Sequence, residues 1–209
     1  MVKLDILSDP ICPWCYIGKT MLDQALKDNP DHPFKIEWHP FQLNPKMPAD
    51  GMDRRDYLEQ KFGGKDGAVR VYSQIEERAK SLDLPIDFAA MKRTPNTVNA
   101  HRLIHWAGLE QRQTQVVDAL FQAYFCDGRD IGDTDTLVDL ATQSGLDGDV
   151  VRRLLEGDQD VKDIQDRDAH SREMGVSAVP TFIVGNQHVV PGAQPPELWE
   201  SVIKELTDA

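Results

Sequence analysis

The fold class that the sequence predicts is α/β, a mixed sandwich of sheet and helices, and three observations predict it. Roughly the first forty residues read strand, helix, strand; the long middle keeps helical spacing; roughly the last thirty return to two short strands and a helix. The chain has 209 residues, 40% of them apolar and 28% charged, which suits one domain, or one domain with a sizeable insertion, around a packed core.

Val2 to Leu7 is expected as a strand with Val2, Leu4 and Ile6 on one face. Ser8-Asp9-Pro10 turns the chain. A helix then opens near Cys12, with Pro13 in its first turn, where a missing N–H costs nothing, and Met21, Leu22, Ala25 and Leu26 at helical spacing. Asn29-Pro30 ends it. Phe34 to Leu43 is the second strand, and the crossover makes the two strands parallel. Asn44 to Met52 reads as a loop. Helical stripes follow: Tyr57, Leu58 and Phe62; Val71, Ile75, Ala79 and Leu82; then Ala100, Leu103, Ile104 and Ala107 behind a cap at Asn96 or Thr97. Val116 to Phe125 forms another, and Thr134 caps Leu137 to Ala141, with Gly145 past the end. Asp147 and Asp158 open two more helices, the second ending at Gly175. Thr181 to Val184 and His188 to Val190 are strands joined by Gly185-Asn186, a hairpin signal. Pro195-Pro196 opens the last helix.

The 23 basic and 35 acidic residues give a net charge of -12, which argues against nucleic acid as the main partner and against anchoring on anionic lipid. No apolar run approaches the ~20 residues of a membrane span. Strand pattern begins at Val2, with Asp5 inside any would-be leader, so Met1 is expected as the mature N-terminus and the cytoplasm as the compartment. Three cysteines cannot pair off among themselves, and in a reducing compartment such residues are more often catalytic or metal-bound than stapled.

Cys12-Pro13-Trp14-Cys15 carries the most chemistry. Two cysteines three apart at a helix start lie close enough to close a small disulfide ring, and beside a β-α-β unit the spacing reads as a redox motif. The free N–H groups and positive dipole end of the helix favour a thiolate at Cys12, the reactive form. Cys12 is therefore the expected nucleophile, and Cys15, a turn further in, the resolving thiol. Trp14 brings no charge between them. The bland alternative, half of a zinc site, lacks a second pair of ligands, and no metal is expected. Val179-Pro180-Thr181 begins the third strand with a residue that cannot donate to a ladder.

Asp9-Pro10-Ile11-Cys12-Pro13-Trp14-Cys15-Tyr16-Ile17-Gly18 resembles the active-site segment of the DsbA-like thioredoxin family, in particular its FrnE-like branch of dithiol–disulfide isomerases. Pro95-Asn96-Thr97 with Ala100-His101-Arg102-Leu103, Asp130-Ile131-Gly132-Asp133, Gly175-Val176-Ser177-Ala178-Val179-Pro180-Thr181-Phe182 and Gly192-Ala193-Gln194 are similar to the same branch, so the likeness spans nearly the whole chain. It implies a thioredoxin fold from residues 1–45 and 176–209 with a large inserted all-helical domain over 46–175. It also implies a cis Pro180 beside the thiols, catalytic roles for Cys12, Cys15 and Pro180, and substrate contacts at Pro13, Trp14, Val179 and Thr181. The activity so implied is thiol–disulfide exchange through a mixed disulfide, on a protein or small-molecule substrate, by a monomer or homodimer. No tightly bound cofactor is implied, and glutathione would serve as redox partner.

Two other functions compete. Kappa-class glutathione transferases and 2-hydroxychromene-2-carboxylate isomerases are similar in architecture but usually carry serine where Cys12 stands, and Asn44 and Gln194 match their glutathione positions only loosely. A non-catalytic peptide-binding module is the third reading. His101 and His105 share a helix face without the acid of a metal motif, and Glu37 and His39 alternate on a strand that could face the thiols. Cys126 reads as a small buried hydrophobe.

Overall fold

A computed structural model describes residues 1–208. Strand β1 (Val2–Ser8), helix α1 (Pro13–Asp28) and strand β2 (Phe34–Pro40) form the opening unit, with β1 and β2 parallel and Leu4 opposite Ile36. Strands β5 (Thr181–Val184) and β6 (His188–Pro191) complete a four-stranded sheet in the order β2-β1-β5-β6, β5 running antiparallel to β1 and β6. At the hairpin both Gly185 and Asn186 have positive φ, as a primed turn requires.

The second strand stops at Pro40, short of the expected Leu43. Its partner β1 ends at Ser8, whose carbonyl takes the Phe41 N–H. Beyond that point two carboxylates replace the ladder: Asp168 accepts from Gln42 N and Asp9 from Leu43 N, both at 2.7 Å.

Between the two halves of the sheet run α2 (Arg54–Phe62), α3 (Lys65–Ser81), α4 (Val98–Leu109), α5 (Gln113–Phe121), α6 (Thr134–Gln143), α7 (Gly148–Glu156) and α8 (Val161–Glu173), and α9 (Pro196–Asp208) closes the chain. The expected insertion is not purely helical, because β3 (Met52–Asp53) and β4 (Arg93–Thr94) pair antiparallel within it. Three helix details also differ. Asp133 rather than Thr134 caps α6, its carboxylate accepting from Thr136 N. Asp160, in a left-handed conformation, rather than Asp158, precedes α8. The stripe ending at Phe125 widens into a π-helical turn, Gln122–Cys126.

Burial explains the layering. Phe182 of β5 meets Trp199 of α9 edge-on, centroids 4.8 Å apart, and both side chains are fully buried. Leu22 and Ala25 of α1 join the same core, while Ile17 and Met21 form a second cluster with Ile75 of α3. Aromatic pairs at this spacing add roughly 0.5–1.5 kcal/mol beyond the area they bury. No helix among the described residues is long and apolar enough to cross a membrane.

Candidate active site

Cys12 is the N-cap of α1 and Pro13 its first residue. The chain reaches this position through a tight turn in which Cys12 N–H donates to the Asp9 carbonyl at 2.9 Å. The Cys12 carbonyl in turn accepts from Cys15 N at 3.0 Å, which opens the helix and places the two free thiols on its first turn. Cys12 is 4% exposed and Cys15 1%, while Trp14 between them is 36% exposed. Burial pushes the Cys15 thiol pKa well up, and the neighbouring Cys12 adds to the effect; the Ser8 side chain and the Asp9 N–H oppose it.

The chain returns to this helix 167 residues later, where the Cys12 thiol donates to the Val179 carbonyl at 3.6 Å. The Val179–Pro180 bond is cis. Thr181 is buried and its hydroxyl donates to the Ala178 carbonyl at 2.7 Å. Cys12, Pro13, Cys15, Val179 and Pro180 thus meet at one end of the sheet, with Thr181 next in the strand. Gly18 lets the two segments approach: a Cβ there would sit 2.9 Å from Pro180 Cγ and 3.4 Å from the Ala193 backbone. Gly18→Ala should therefore destabilise the fold by about 1–3 kcal/mol through overpacking, read from denaturant unfolding; an unchanged midpoint would mean that this seam yields freely.

Three groups at the site were not among the candidate site residues read from the sequence. Asp9, fully buried, accepts from Leu43 N at 2.7 Å and Ile11 N at 3.4 Å, and its pKa is raised to about 7 by burial against the opposing pull of those bonds. Tyr57 and Lys61 of α2 come with it: Lys61 Nζ donates to Tyr57 Oη at 2.7 Å, and Asn44 Nδ2 to the same hydroxyl at 2.8 Å. Burial raises the Tyr57 pKa to about 12, and the charges of both Asp9 and Cys12 act on it. Burial lowers the Lys61 pKa while the same two charges raise it. No local pattern marks these residues, because each owes its role to neighbours far along the chain.

His101 belongs to this environment too. It is 3% exposed, its Nε2 lies 3.8 Å from Asp9 Oδ1 and has no hydrogen-bond partner, and burial lowers its pKa to about 4. The two buried groups pull stability in opposite directions. An unfolded Asp9 releases its proton near pH 4 and the folded one near 7, so the fold weakens as pH rises through that window. An unfolded histidine binds a proton near pH 6.5 and the folded His101 only near 4, so the fold weakens as pH falls through that one.

The remaining sequence candidates lie elsewhere. His39 Nε2 pairs with Asp5 Oδ1 at 2.5 Å and its Nδ1 faces Arg167 of α8, so neither it nor Glu37, held by Lys3 at 3.0 Å, is bonded to a thiol. Cys126 is only partly buried, contrary to the expected buried hydrophobe, and its Sγ lies 3.6 Å from Tyr16 Oη. Asn44 closes a turn onto Met47 N, and Gln194 Nε2 bonds the Pro191 carbonyl.

Residues 3–204 match the DSBA-like thioredoxin domain family. The chain is 31% identical over 206 residues to the uncharacterized protein YwbO of Bacillus subtilis, covering 98% of this chain and 96% of that one. Among solved structures it is similar to a probable DsbA oxidoreductase of Streptomyces coelicolor, at 26% identity and TM-score 0.87, covering 100% of this chain and 91% of the other. The cytosolic disulfide reductase DsbM of Pseudomonas aeruginosa, solved with glutathione, shares the fold at 16% identity and TM-score 0.72 over 99% of this chain and 100% of its own.

Proposed function

The chain belongs to the DsbA-like thioredoxin family, and from that premise we propose that it is a thiol–disulfide oxidoreductase or isomerase of the cytoplasm, using Cys12 and Cys15 as its redox pair. The observation that carries this reading is the first turn of α1: two free thiols three residues apart, the first at the helix N-terminus with the Val179 carbonyl on its sulfur. The Cys12 thiolate attacks a substrate disulfide, joins one sulfur and releases the other as a thiolate that takes a proton from solvent. Cys15 then attacks Cys12 Sγ, loses its proton, closes the Cys12–Cys15 disulfide and expels the second substrate thiol. Val179, Pro180 and Thr181 form the wall against which the substrate lies, with Pro13 and the exposed Trp14 opposite.

Glutathione fits as the small-molecule partner. Its carboxylates pair with cations, and Lys61 of α2, on which both Asp9 and Cys12 act, offers one beside the thiol pair. The structure of DsbM with glutathione supports this choice. Lys61→Gln should raise KM for glutathione about tenfold, the worth of one charge-assisted hydrogen bond, with smaller change in kcat; an unaltered KM would remove Lys61 from the site. The redox reading itself is tested by mass spectrometry of the alkylated protein across glutathione redox buffers. A Cys12–Cys15 disulfide that forms and disappears reversibly is expected. Thiols that persist in oxidised buffer, alongside glutathione conjugation, would instead support the transferase reading.

A further inference from the structure

We propose that the cleft between α2, α3 and the segment leading into β4 binds a small organic acid with an apolar body, its carboxylate paired with the guanidinium of Arg54.

Arg54 is a buried cation without a counter-ion. It opens α2 and is 7% exposed. Its Nη1 donates to Tyr124 Oη at 3.0 Å, and Nη2, closed to solvent, has no hydrogen-bond partner. The guanidinium carbon lies 5.1 Å from the centre of the Tyr72 ring and 5.9 Å from that of Tyr124. Ring faces recover only part of what a desolvated cation loses, and buried charges are otherwise paired. Arg102, also buried, shows what a guanidinium held for structure looks like here: it binds three carbonyls and Asn99 Oδ1. The acids in the walls around Arg54 are engaged elsewhere. Asp53 caps α2 through Arg55 N and Asp56 N, Arg55 Nε holds Glu59 at 2.9 Å, and Lys80 holds Glu76 at 2.7 Å.

Two adjoining clefts open beside this side chain, of about 300 and 510 Å³, and Arg54, Leu58, Ala68, Val69 and Phe88 line both. Val69 is 55% exposed, and an apolar ligand body would cover it. Tyr72 meets Phe88 edge-on, centroids 5.2 Å apart, and gives the smaller cleft an aromatic wall. The larger cleft adds Arg55, Lys65 and Lys92, so four cations face two acids, Asp53 and Glu59, in a chain of net charge -12. Apolar walls under a local excess of positive charge select an organic anion. Clefts of this size enclose a small molecule, and the planar guanidinium fork matches a carboxylate. A turn of the Arg54 side chain presents that fork to the ligand, and Tyr124 keeps its own bond to the Arg93 carbonyl at 3.2 Å. Neither thiol, nor Tyr57, Lys61 or Pro180, lines these walls, so the site is separate from the redox pair.

The test is titration of the full chain with 4-phenylbutyrate and with its neutral amide, 4-phenylbutanamide, read by calorimetry and methyl NMR. The acid should saturate at one per chain and shift the methyl signals of Leu58, Ala68 and Val69. The amide should bind about tenfold more weakly or worse, the worth of one charge-assisted hydrogen bond. Arg54→Met should lose about as much of the acid's affinity. Because that change removes a charge the free protein leaves unpaired, it should also keep or raise Tm, whereas loss of a structural guanidinium would lower it. Val69→Glu, at an exposed position, sets a carboxylate over the cleft and should weaken the acid while leaving Arg54 in place. The Cys12→Ser/Cys15→Ser protein should bind the acid as wild type does. Absence of saturable binding, equal affinity for acid and amide, or normal binding by an Arg54→Met protein of lowered Tm would overturn the site. If Arg54→Met does not fold, unchanged affinity in Val69→Glu does the same. Loss of acid binding in the double cysteine variant, or shifts confined to residues around Cys12, would place the acid at the thiols and overturn it as well.

Discussion

Cys15→Ser protein given a disulfide substrate is expected to accumulate a mixed disulfide on Cys12, while Cys12→Ser protein forms none at a comparable rate. Turnover in either single variant should fall on the order of a thousandfold or more, because nucleophile and resolving group act as one unit. The asymmetry follows from the first turn of α1. Cys12 caps the helix beside its free N–H groups, whereas Cys15 is enclosed within it and burial pushes its thiol away from ionisation. Intact-mass spectrometry after quenching with acid reads the adduct directly. Equal trapping by both variants, or an adduct on Cys126, would reverse the assignment.

Arg102→Leu is expected to cost about 3–5 kcal/mol of stability, roughly 10 °C or more in Tm for a chain of this size, while leaving the thiol chemistry of the folded fraction unchanged. The guanidinium is 1% exposed and holds the end of α7 and the turn after it. Nη2 donates to the Leu154 carbonyl at 2.5 Å and the Gly157 carbonyl at 2.9 Å, Nε to the Gln159 carbonyl at 2.7 Å, and Nη1 to Asn99 Oδ1 at 2.9 Å. Its face lies 5.0 Å from the Trp106 ring. Leucine fills part of the volume and leaves those carbonyls without donors. Guanidinium chloride unfolding measures the loss; a change below about 1 kcal/mol would mean that water replaces the guanidinium.

The helix that carries the redox pair was legible from local signals alone. Pro13 fixes the first turn, Asn29-Pro30 stops the last, and the apolar spacing between them orients the core face. The hairpin at Gly185-Asn186 and the final helix after Pro195 were equally local, since positive φ and a fixed proline φ are properties of single residues. Caps were less legible. Both Asp133 and Thr134 are acceptable N-cap residues, and only the backbone path decides that Asp133 Oδ2 reaches Thr136 N at 2.8 Å.

By itself the sequence determined the α/β class, the order of its strands and long helices, and the thiol pair at a helix opening, because hydrophobic period, turn residues and motif spacing act over a few residues. The tertiary structure decided what surrounds the sulfurs. Val179 reaches Cys12 across 167 residues, Tyr57 and Lys61 arrive on α2, and Asp9 has a local place but a nonlocal character. An aspartate in an Asp-Pro turn reads as exposed turn chemistry. It becomes a buried acid with a pKa near 7 only because Leu43, Thr97 and His101 close over it and exclude the water that would keep its charge. Desolvation is set by packing from every direction at once, and that is information no local stretch of sequence contains.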